Sequence, residues 1–158
     1  MIAYARPAAM LNSISHRLRR EAGLGARLIA RACLCLSVIV LGLTLRKFGF
    51  GLGLPAFVVK YGGSILWAAM VFFLVAIAAS NLPRQHVAMI AAVIAIGVEL
   101  FRLVHTPWLD DFRLTTAGAL LLGRIFSLWD MLAYGVGVIL GMLLDRFGLK
   151  RDAPHSAS

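Results

Sequence analysis

Four apolar segments, each long enough to cross a lipid bilayer as a helix, constrain this chain more than any other feature of its sequence. They cover residues 28–45, 57–80, 86–104 and 128–144. A spanning helix needs about 20 mostly apolar residues at a rise of about 1.5 Å per residue. Hydrophobic residues make up 61% of the chain and charged residues 15%, whereas soluble domains hold roughly 45–50% and about 25%. The sequence therefore predicts an all-α integral membrane bundle of four transmembrane helices.

These segments divide the chain into three parts. A basic N-terminal segment covers residues 1–27, a four-helix transmembrane domain covers 28–145, and a polar tail covers 146–158. The third connection between the segments is the long one, and residues 109–122 within it predict a short extra helix that Gly123 ends. This helix has about 14 residues, too few to span, so it is either interfacial or re-entrant. The second connection is a tight turn, in which Pro83 is expected to stop the second helix.

The distribution of basic residues predicts the orientation in the membrane. The formal net charge is +9, and basic residues collect on the cytoplasmic flanks of membrane helices. If the N-terminus is cytoplasmic, the inner flanks hold nine basic residues and the outer connections hold four. We therefore expect a multi-pass protein with both termini in the cytoplasm and the long third connection outside. The inner residues are Arg6, Arg17, Arg19, Arg20, Arg27, Arg84, Arg146, Lys150 and Arg151, and the outer ones are Arg46, Lys47, Arg113 and Arg124.

A strongly basic chain can also indicate nucleic-acid binding. Here no aromatic residue lies between His16 and Arg31, so that basic stretch offers no surface on which bases could stack. We expect the lipid bilayer as the partner, and no nucleic acid. The sequence holds none of the G-x-S-x-G, H-E-x-x-H, C-x-x-C or Walker signatures, so it assigns no catalytic residue and predicts no metal and no cofactor.

Charged side chains in the apolar segments are the candidate functional groups, because each costs roughly 2.5–3.5 kcal/mol to insert at the bilayer centre. Glu99 lies deepest, and Arg102 follows three residues later on the same helix face. An internal ion pair explains both residues, and a site near the outer leaflet is the functional alternative. Lys60, near the outer end of the second segment, either snorkels to the lipid head groups or pairs with Glu99 or Asp130.

Further polar residues at the same end extend this set. Ser127-x-x-Asp130 precedes an apolar run and fits a capping box, which would explain both residues structurally. His105 is either a group that titrates near neutrality or plain polar surface at the interface. The candidate ligand-binding residues are Lys60, Glu99, Arg102, His105, Asp110, Arg113 and Asp130.

Small residues in the fourth segment predict close helix packing. Gly137-x-x-x-Gly141 allows the backbone of another helix to approach, because neither position carries a side chain. The partner is either a helix of the same bundle or a second copy of the chain, so a homo-oligomer stays open.

A family resemblance is carried mainly by the stretch from Glu99 to Gly141. Its residues are Lys60, Tyr61, Ser64, Leu66 and Trp67, then Glu99, Arg102, His105, Pro107, Trp108, Leu109, Asp110 and Arg113, then Gly118, Gly123, Phe126, Ser127, Asp130, Ala133, Tyr134, Gly137 and Gly141. This set resembles an uncharacterised bacterial family of short four-helix membrane proteins, known as a domain of unknown function, over residues 28–145. The resemblance implies the bacterial cytoplasmic (inner) membrane.

More remotely, the sequence resembles the VanZ-like proteins, which are linked to glycopeptide (teicoplanin) resistance. By that resemblance the corresponding positions are Glu99, Arg113, Asp130, Gly137 and Gly141. The sequence departs from the VanZ-like pattern at two residues, since Arg102 stands where a Gln is usual and Tyr134 where an Asn is usual. The stretch between Arg113 and Asp130 is also longer.

Three functions stay open. The first is a non-enzymatic envelope protein that binds an anionic lipid or a cell-wall precursor head group, with Arg102, Arg113 and Lys60 as donors suited to phosphate. The second is an enzyme acting on a lipid-linked substrate, with Glu99 or Asp130 as general base. The third is a small transporter, which would have to oligomerise because four spans leave little lumen. We favour the first, and expect Glu99 to face the bundle and to pair with Arg102 or Lys60.

Overall fold

The computed structural model describes residues 6–121 and 127–148, and helices dominate it. They are α1 (Arg6–Phe48), α2 (Ala56–Ala78), α3 (Arg84–Phe101), α4 (Pro107–Leu114), α5 (Thr116–Leu121) and α6 (Leu128–Gly148). Four of them are long and apolar enough to cross a membrane: α2, α3, α6 and the Glu21–Phe48 part of α1. No strand occurs among the described residues. The predicted all-α bundle with four candidate spans is confirmed.

Proline residues mark the starts of two spans. Pro55 precedes α2 and Pro83 precedes α3, each with an extended backbone, as expected for a residue that lacks a backbone N–H to donate. The second span ends at Ala78, ahead of the turn that contains Pro83. The expectation that Pro83 stops the second helix is therefore wrong, since that helix ends five residues earlier and Pro83 directly precedes the third.

The long connection holds two short helices where the sequence predicted one over residues 109–122. Thr115 has an extended backbone (φ −69°, ψ 156°) and separates α4 from α5. Its hydroxyl donates to the Phe112 carbonyl at 2.6 Å and accepts the Gly118 N–H at 3.0 Å. Side chains of this type compete with the helical hydrogen bonds of the backbone, which explains the break. Gly123, the predicted stop, lies outside the described residues.

Helix α2 is the centre of the bundle and packs against α1, α3 and α6. Its Phe72 and Phe73 are fully buried. Gly137 and Gly141 of α6 face this helix: a Cβ atom at Gly137 would meet the Ile65 carbonyl, and one at Gly141 would lie 2.9 Å from the Phe72 ring. The close-packing partner predicted from these glycines is therefore a helix of the same chain.

The outward surfaces of the spans are apolar. Large side chains that point away from the bundle include Phe57, Leu74, Met89, Val93, Leu132 and Ile139. An apolar surface of this extent is typical of a membrane-facing bundle. Polar side chains concentrate instead at its two ends. We call them the Glu99 end, where α1 and α3 end and α2 and α6 begin, and the Asp145 end, where α2 and α6 end and α3 begins.

Candidate functional site

Glu99, in the last turn of α3, has no exposed surface. Its Oε2 lies 2.6 Å from Arg102 Nη1 and accepts a hydrogen bond from the Tyr134 hydroxyl at 2.9 Å. Its Oε1 accepts the backbone N–H of Ser127 at 2.7 Å. A buried carboxylate is tolerated when it is paired and hydrogen-bonded, and both oxygens of Glu99 meet that condition. The predicted pairing of Glu99 with Arg102 inside the bundle is confirmed.

Arg102 follows the last residue of α3, and its side chain reaches across to α6. Nη1 lies 3.2 Å from Asp130 Oδ2, and Nη2 donates to the Tyr134 hydroxyl at 2.8 Å. Asp130 Oδ1 lies 3.3 Å from the Ser64 hydroxyl of α2. We call Ser64, Glu99, Arg102, Asp130 and Tyr134 the Glu99 cluster. It links three spanning helices by polar contacts.

The Ser127 backbone N–H and the Asp130 carboxylate bind residues from other parts of the bundle. The Ser127 N–H donates to Glu99, and the Asp130 carboxylate binds Ser64 and Arg102. The side-chain bonds described for these two residues therefore differ from the reciprocal pair of a capping box. Asp130 belongs to the Glu99 cluster and not to a local helix cap.

The charges of the Glu99 cluster do not balance. Two buried carboxylates, Glu99 and Asp130, share the single guanidinium of Arg102. One negative charge is therefore in excess when both carboxylates are ionised. Because Arg102 directs its nitrogens at groups of the protein itself, the cluster does not present this guanidinium to an anion from outside.

Lys60 lies at the rim of the Glu99 cluster and is exposed. Its carbonyl lies 3.3 Å from the Ser64 hydroxyl one helical turn further along α2, and its ammonium lies 5.1 Å from the centre of the Tyr61 ring. Within the described part of the chain, Lys60 forms no ion pair with Glu99 or Asp130. Of the two predicted alternatives, the structure has the surface-directed lysine and not the pair.

His105, Asp110 and Arg113 form a second group in the long connection. Arg113 is buried and donates from Nη1 to the Val104 carbonyl at 2.8 Å and from Nη2 to the Phe101 carbonyl at 2.7 Å. Asp110 Oδ1 lies 3.1 Å from Arg113 Nη1 and 3.3 Å from Nδ1 of the exposed His105. Arg113 thereby joins α4 to the last residue of α3, Phe101, and to Val104 in the turn that follows it.

A further charged cluster, which the sequence analysis did not predict, lies at the Asp145 end. Asp145 has no exposed surface; its Oδ1 lies 2.7 Å from Arg31 Nε and its Oδ2 lies 2.7 Å from Arg84 Nε. Arg31 also donates from Nη1 to the Ala76 carbonyl at 2.6 Å. We call Arg31, Arg84 and Asp145 the Asp145 cluster. It ties α1, α3 and α6 together and reaches the last turn of α2.

One signal in the sequence points to Asp145. Asp130, Tyr134, Gly137, Gly141 and Asp145 recur at helical spacing and are all buried on one face of α6. The sequence analysis selected Asp130, Gly137 and Gly141 of this face as candidate binding or packing residues, but it did not select Asp145.

Comparison with known proteins places the chain in a family. The chain belongs to the family described as "Protein of unknown function (DUF2809)", which matches residues 53–138. The resemblance to a domain of unknown function is thereby confirmed. The matched residues contain the whole Glu99 cluster and Lys60, whereas Arg31 and Asp145 lie outside them. No solved structure matches the chain.

Proposed function

We propose that this member of the family is a non-enzymatic membrane protein that binds the phosphate-bearing head group of an anionic lipid or of a lipid-linked cell-wall precursor at the Glu99 end. We further propose that this end faces outward from the bacterial cytoplasmic membrane. The observation that carries the proposal is Lys60, an exposed cation one turn from the buried Glu99 cluster, with no carboxylate partner among the described residues.

Among the three donors that the sequence suggested, the contacts of Arg102 and Arg113 favour Lys60. The Arg102 guanidinium binds Glu99, Asp130 and Tyr134. Both terminal nitrogens of Arg113 donate to backbone carbonyls. The proposal therefore keeps Lys60 alone of the three phosphate donors that the sequence suggested.

In this proposal the Glu99 cluster positions the donor and does not touch the ligand. Ser64 joins the Lys60 turn of α2 to Asp130 of α6, and Arg102 joins Asp130 to α3. A cation held on a rigid element binds better than a mobile one, because less side-chain entropy is lost on binding.

Two features count against the alternatives. Glu99 as a general base would need an oxygen within reach of a substrate proton, but both of its oxygens hold donors and neither is exposed. A transport path through one copy would have to cross the layer between the two charged clusters. Phe72, Ala69 and Val138 are buried in that layer, so its packing opposes such a path.

The experiment measures lipid binding to the purified full chain by native mass spectrometry. Phosphatidylglycerol and a polyprenyl phosphate are the probes, and phosphatidylcholine is the zwitterionic comparison. Lys60→Gln should weaken binding of the two anionic probes at least tenfold, since a hydrogen bond to a charged group contributes about 1.5–3 kcal/mol and about 1.4 kcal/mol corresponds to a factor of ten. Arg46→Gln, an exposed cation of the same end, is the matched control and should change binding less than twofold.

Equal losses in the two variants would indicate general attraction between charges and would contradict the proposal, as would unchanged binding in Lys60→Gln. Turnover of the polyprenyl phosphate by the wild-type chain, abolished in Asp130→Asn, would support the enzyme instead.

A further inference from the structure

We propose that the Asp145 cluster is a second phosphate site, at which Arg84 binds the phosphate group of an anionic phospholipid. The inference does not depend on the function proposed for the Glu99 end, because it rests on different residues at the opposite end of the bundle.

The two arginines of the Asp145 cluster are used differently. Arg31 is buried, and all three of its guanidinium nitrogens have acceptors: Nε and Nη2 bind Asp145 at 2.7 and 3.3 Å, and Nη1 binds the Ala76 carbonyl. Arg84 binds Asp145 through Nε alone, at 2.7 Å. Its two terminal nitrogens have no acceptor within the described ranges, and 43% of its side chain is exposed. Arg84 therefore keeps donors for a ligand from outside.

The unused donors of Arg84 suit a phosphate group. The two terminal nitrogens of a guanidinium lie in a fixed plane and bind two oxygens of one phosphate in parallel. Asp145 holds Nε, and so fixes the plane of the guanidinium before a ligand arrives. A donor pair oriented in advance loses less entropy on binding.

The Asp145 end carries an excess of positive charge, which favours binding of an anion. Two guanidinium groups face one carboxylate, and both Arg31 and Asp145 are more than nine-tenths buried. The exposed side chains around them add positive charge, from Arg27 and Arg146. Among the described residues, the next acidic group on α1 is Glu21, about 15 Å along the helix axis from Arg31. An external anion would offset this excess charge at the membrane boundary.

A phospholipid fits this position better than free phosphate. Arg84 begins α3, and the exposed side chains on either side of it along the chain include Leu82 and Met89. Acyl chains can lie against these apolar groups while the head group reaches the guanidinium. The basic balance of the chain also predicts that this end faces the cytoplasm, where the leaflet carries anionic lipid.

The test compares two exposed arginines of the same end in the full chain. Thermal stability is followed in detergent with added phosphatidylglycerol, phosphatidylcholine or inorganic phosphate, and native mass spectrometry counts the retained lipids. The wild type should gain stability from phosphatidylglycerol and not from phosphatidylcholine. Arg84→Gln should bind phosphatidylglycerol about tenfold more weakly and retain one fewer molecule. Arg146→Gln, next to Asp145 in the chain, should weaken binding less than twofold, because this exposed residue adds only to the general positive charge of the end.

Two further variants keep the result interpretable. Arg84→Gln leaves Asp145 paired with Arg31, so we expect it to fold, and its gain in stability is compared with its own lipid-free baseline. Arg84→Lys, which keeps the charge but loses the paired donors, should bind with an intermediate affinity. Lys60→Gln should keep the full effect at this site, which separates it from the site proposed at the Glu99 end.

The outcomes decide the proposal. Stabilisation by both phosphatidylglycerol and inorganic phosphate that Arg84→Gln removes supports recognition of the phosphate itself. Stabilisation by the lipid alone supports a head group held together with its acyl chains. If Arg84→Gln binds phosphatidylglycerol as well as the wild type, or if Arg146→Gln is weakened equally, Arg84 is not a phosphate ligand.

Discussion

The two ends of the bundle bury charge in opposite proportions. At the Glu99 end, two carboxylates share one guanidinium, whereas at the Asp145 end two guanidiniums share one carboxylate. In each cluster the shared ion contacts partners on other helices. This ion is Arg102 at the Glu99 end and Asp145 at the Asp145 end. The comparison shows that each end is tied by one central ion, and that the excess charge left over is negative at one end and positive at the other.

The same comparison separates the ends by their access to ligands. The excess charge of the Glu99 cluster lies on Glu99 and Asp130, whose side chains are at most 5% exposed. The excess charge of the Asp145 cluster reaches the surface through Arg84. A ligand of the Glu99 end must therefore be recognised by a residue outside the cluster, whereas a ligand of the Asp145 end can be bound by a member of the cluster itself.

Asp145→Asn should have the largest effect, because it removes the central ion of its end and leaves Arg31 buried without a counter-charge. Removing one partner of a buried ion pair costs about 3–5 kcal/mol. The free energy of unfolding, followed by tryptophan fluorescence in mixed detergent micelles, should fall by that amount. A loss below about 1 kcal/mol would mean that Arg31 and Asp145 are exposed surface ions.

Glu99→Gln should cost less, because it removes one of the two carboxylates and leaves Arg102 paired with Asp130. We expect a loss of about 1.5–3 kcal/mol from the hydrogen bonds to a charged group. Binding of phosphatidylglycerol per folded molecule should survive, since Lys60 is unchanged. A folded Glu99→Gln variant that no longer binds the lipid would assign Glu99 to the ligand site and weaken the contrast between the ends.

Two glycines of α6, Gly137 and Gly135, test the close contact between α6 and α2 that connects the two ends of the bundle. Gly137→Ala places a methyl group against the Ile65 carbonyl and the Ala68 side chain, and overpacking of this kind costs about 1–3 kcal/mol. Gly135→Ala is the matched control, since nothing lies within 4 Å of the added atom. It should be neutral or slightly stabilising, because alanine has the higher helix propensity. Equal effects of Gly137→Ala and Gly135→Ala on stability would contradict the close approach of α6 to α2. In that case Gly141→Leu should also leave the stability in detergent unchanged.

The orientation of the ends can be tested without altering their stability. In a chain whose native Cys33 and Cys35 are replaced by alanine, a cysteine at position Asp111 should react with an impermeant thiol reagent added outside. A cysteine at position Arg151 should react when the membrane is opened. The reverse pattern would place the Glu99 end in the cytoplasm and exchange the leaflets proposed for the two sites.

The sequence predicts the elements of this fold better than the contacts between them. Helical spans follow from length and apolar composition, and the pairing of Glu99 with Arg102 follows from a spacing within one helix. The break at Thr115 was missed, because it depends on one hydroxyl that competes for backbone hydrogen bonds. Sequence spacing carries no information on that competition.

The Asp145 cluster was missed for a different reason. Arg31 and Asp145 are separated by 114 positions, and their contact depends on how α1 and α6 rotate against α2. Apolar segments fix the length of a helix but leave this rotation to packing. The contacts of Arg102 with Asp130 and Tyr134 likewise depend on the angle between α3 and α6.

The most direct test of the account is a double-mutant cycle between Arg31 and Asp145, because these residues lie on different helices and pair only if the bundle is arranged as described. Unfolding free energies are measured for the wild type, Arg31→Gln, Asp145→Asn and the double variant. We predict that the double variant is more stable than the sum of the single losses implies, by about 1.5–3 kcal/mol of coupling energy. Additive losses, with coupling below about 0.5 kcal/mol, would contradict an end tied by a central buried ion.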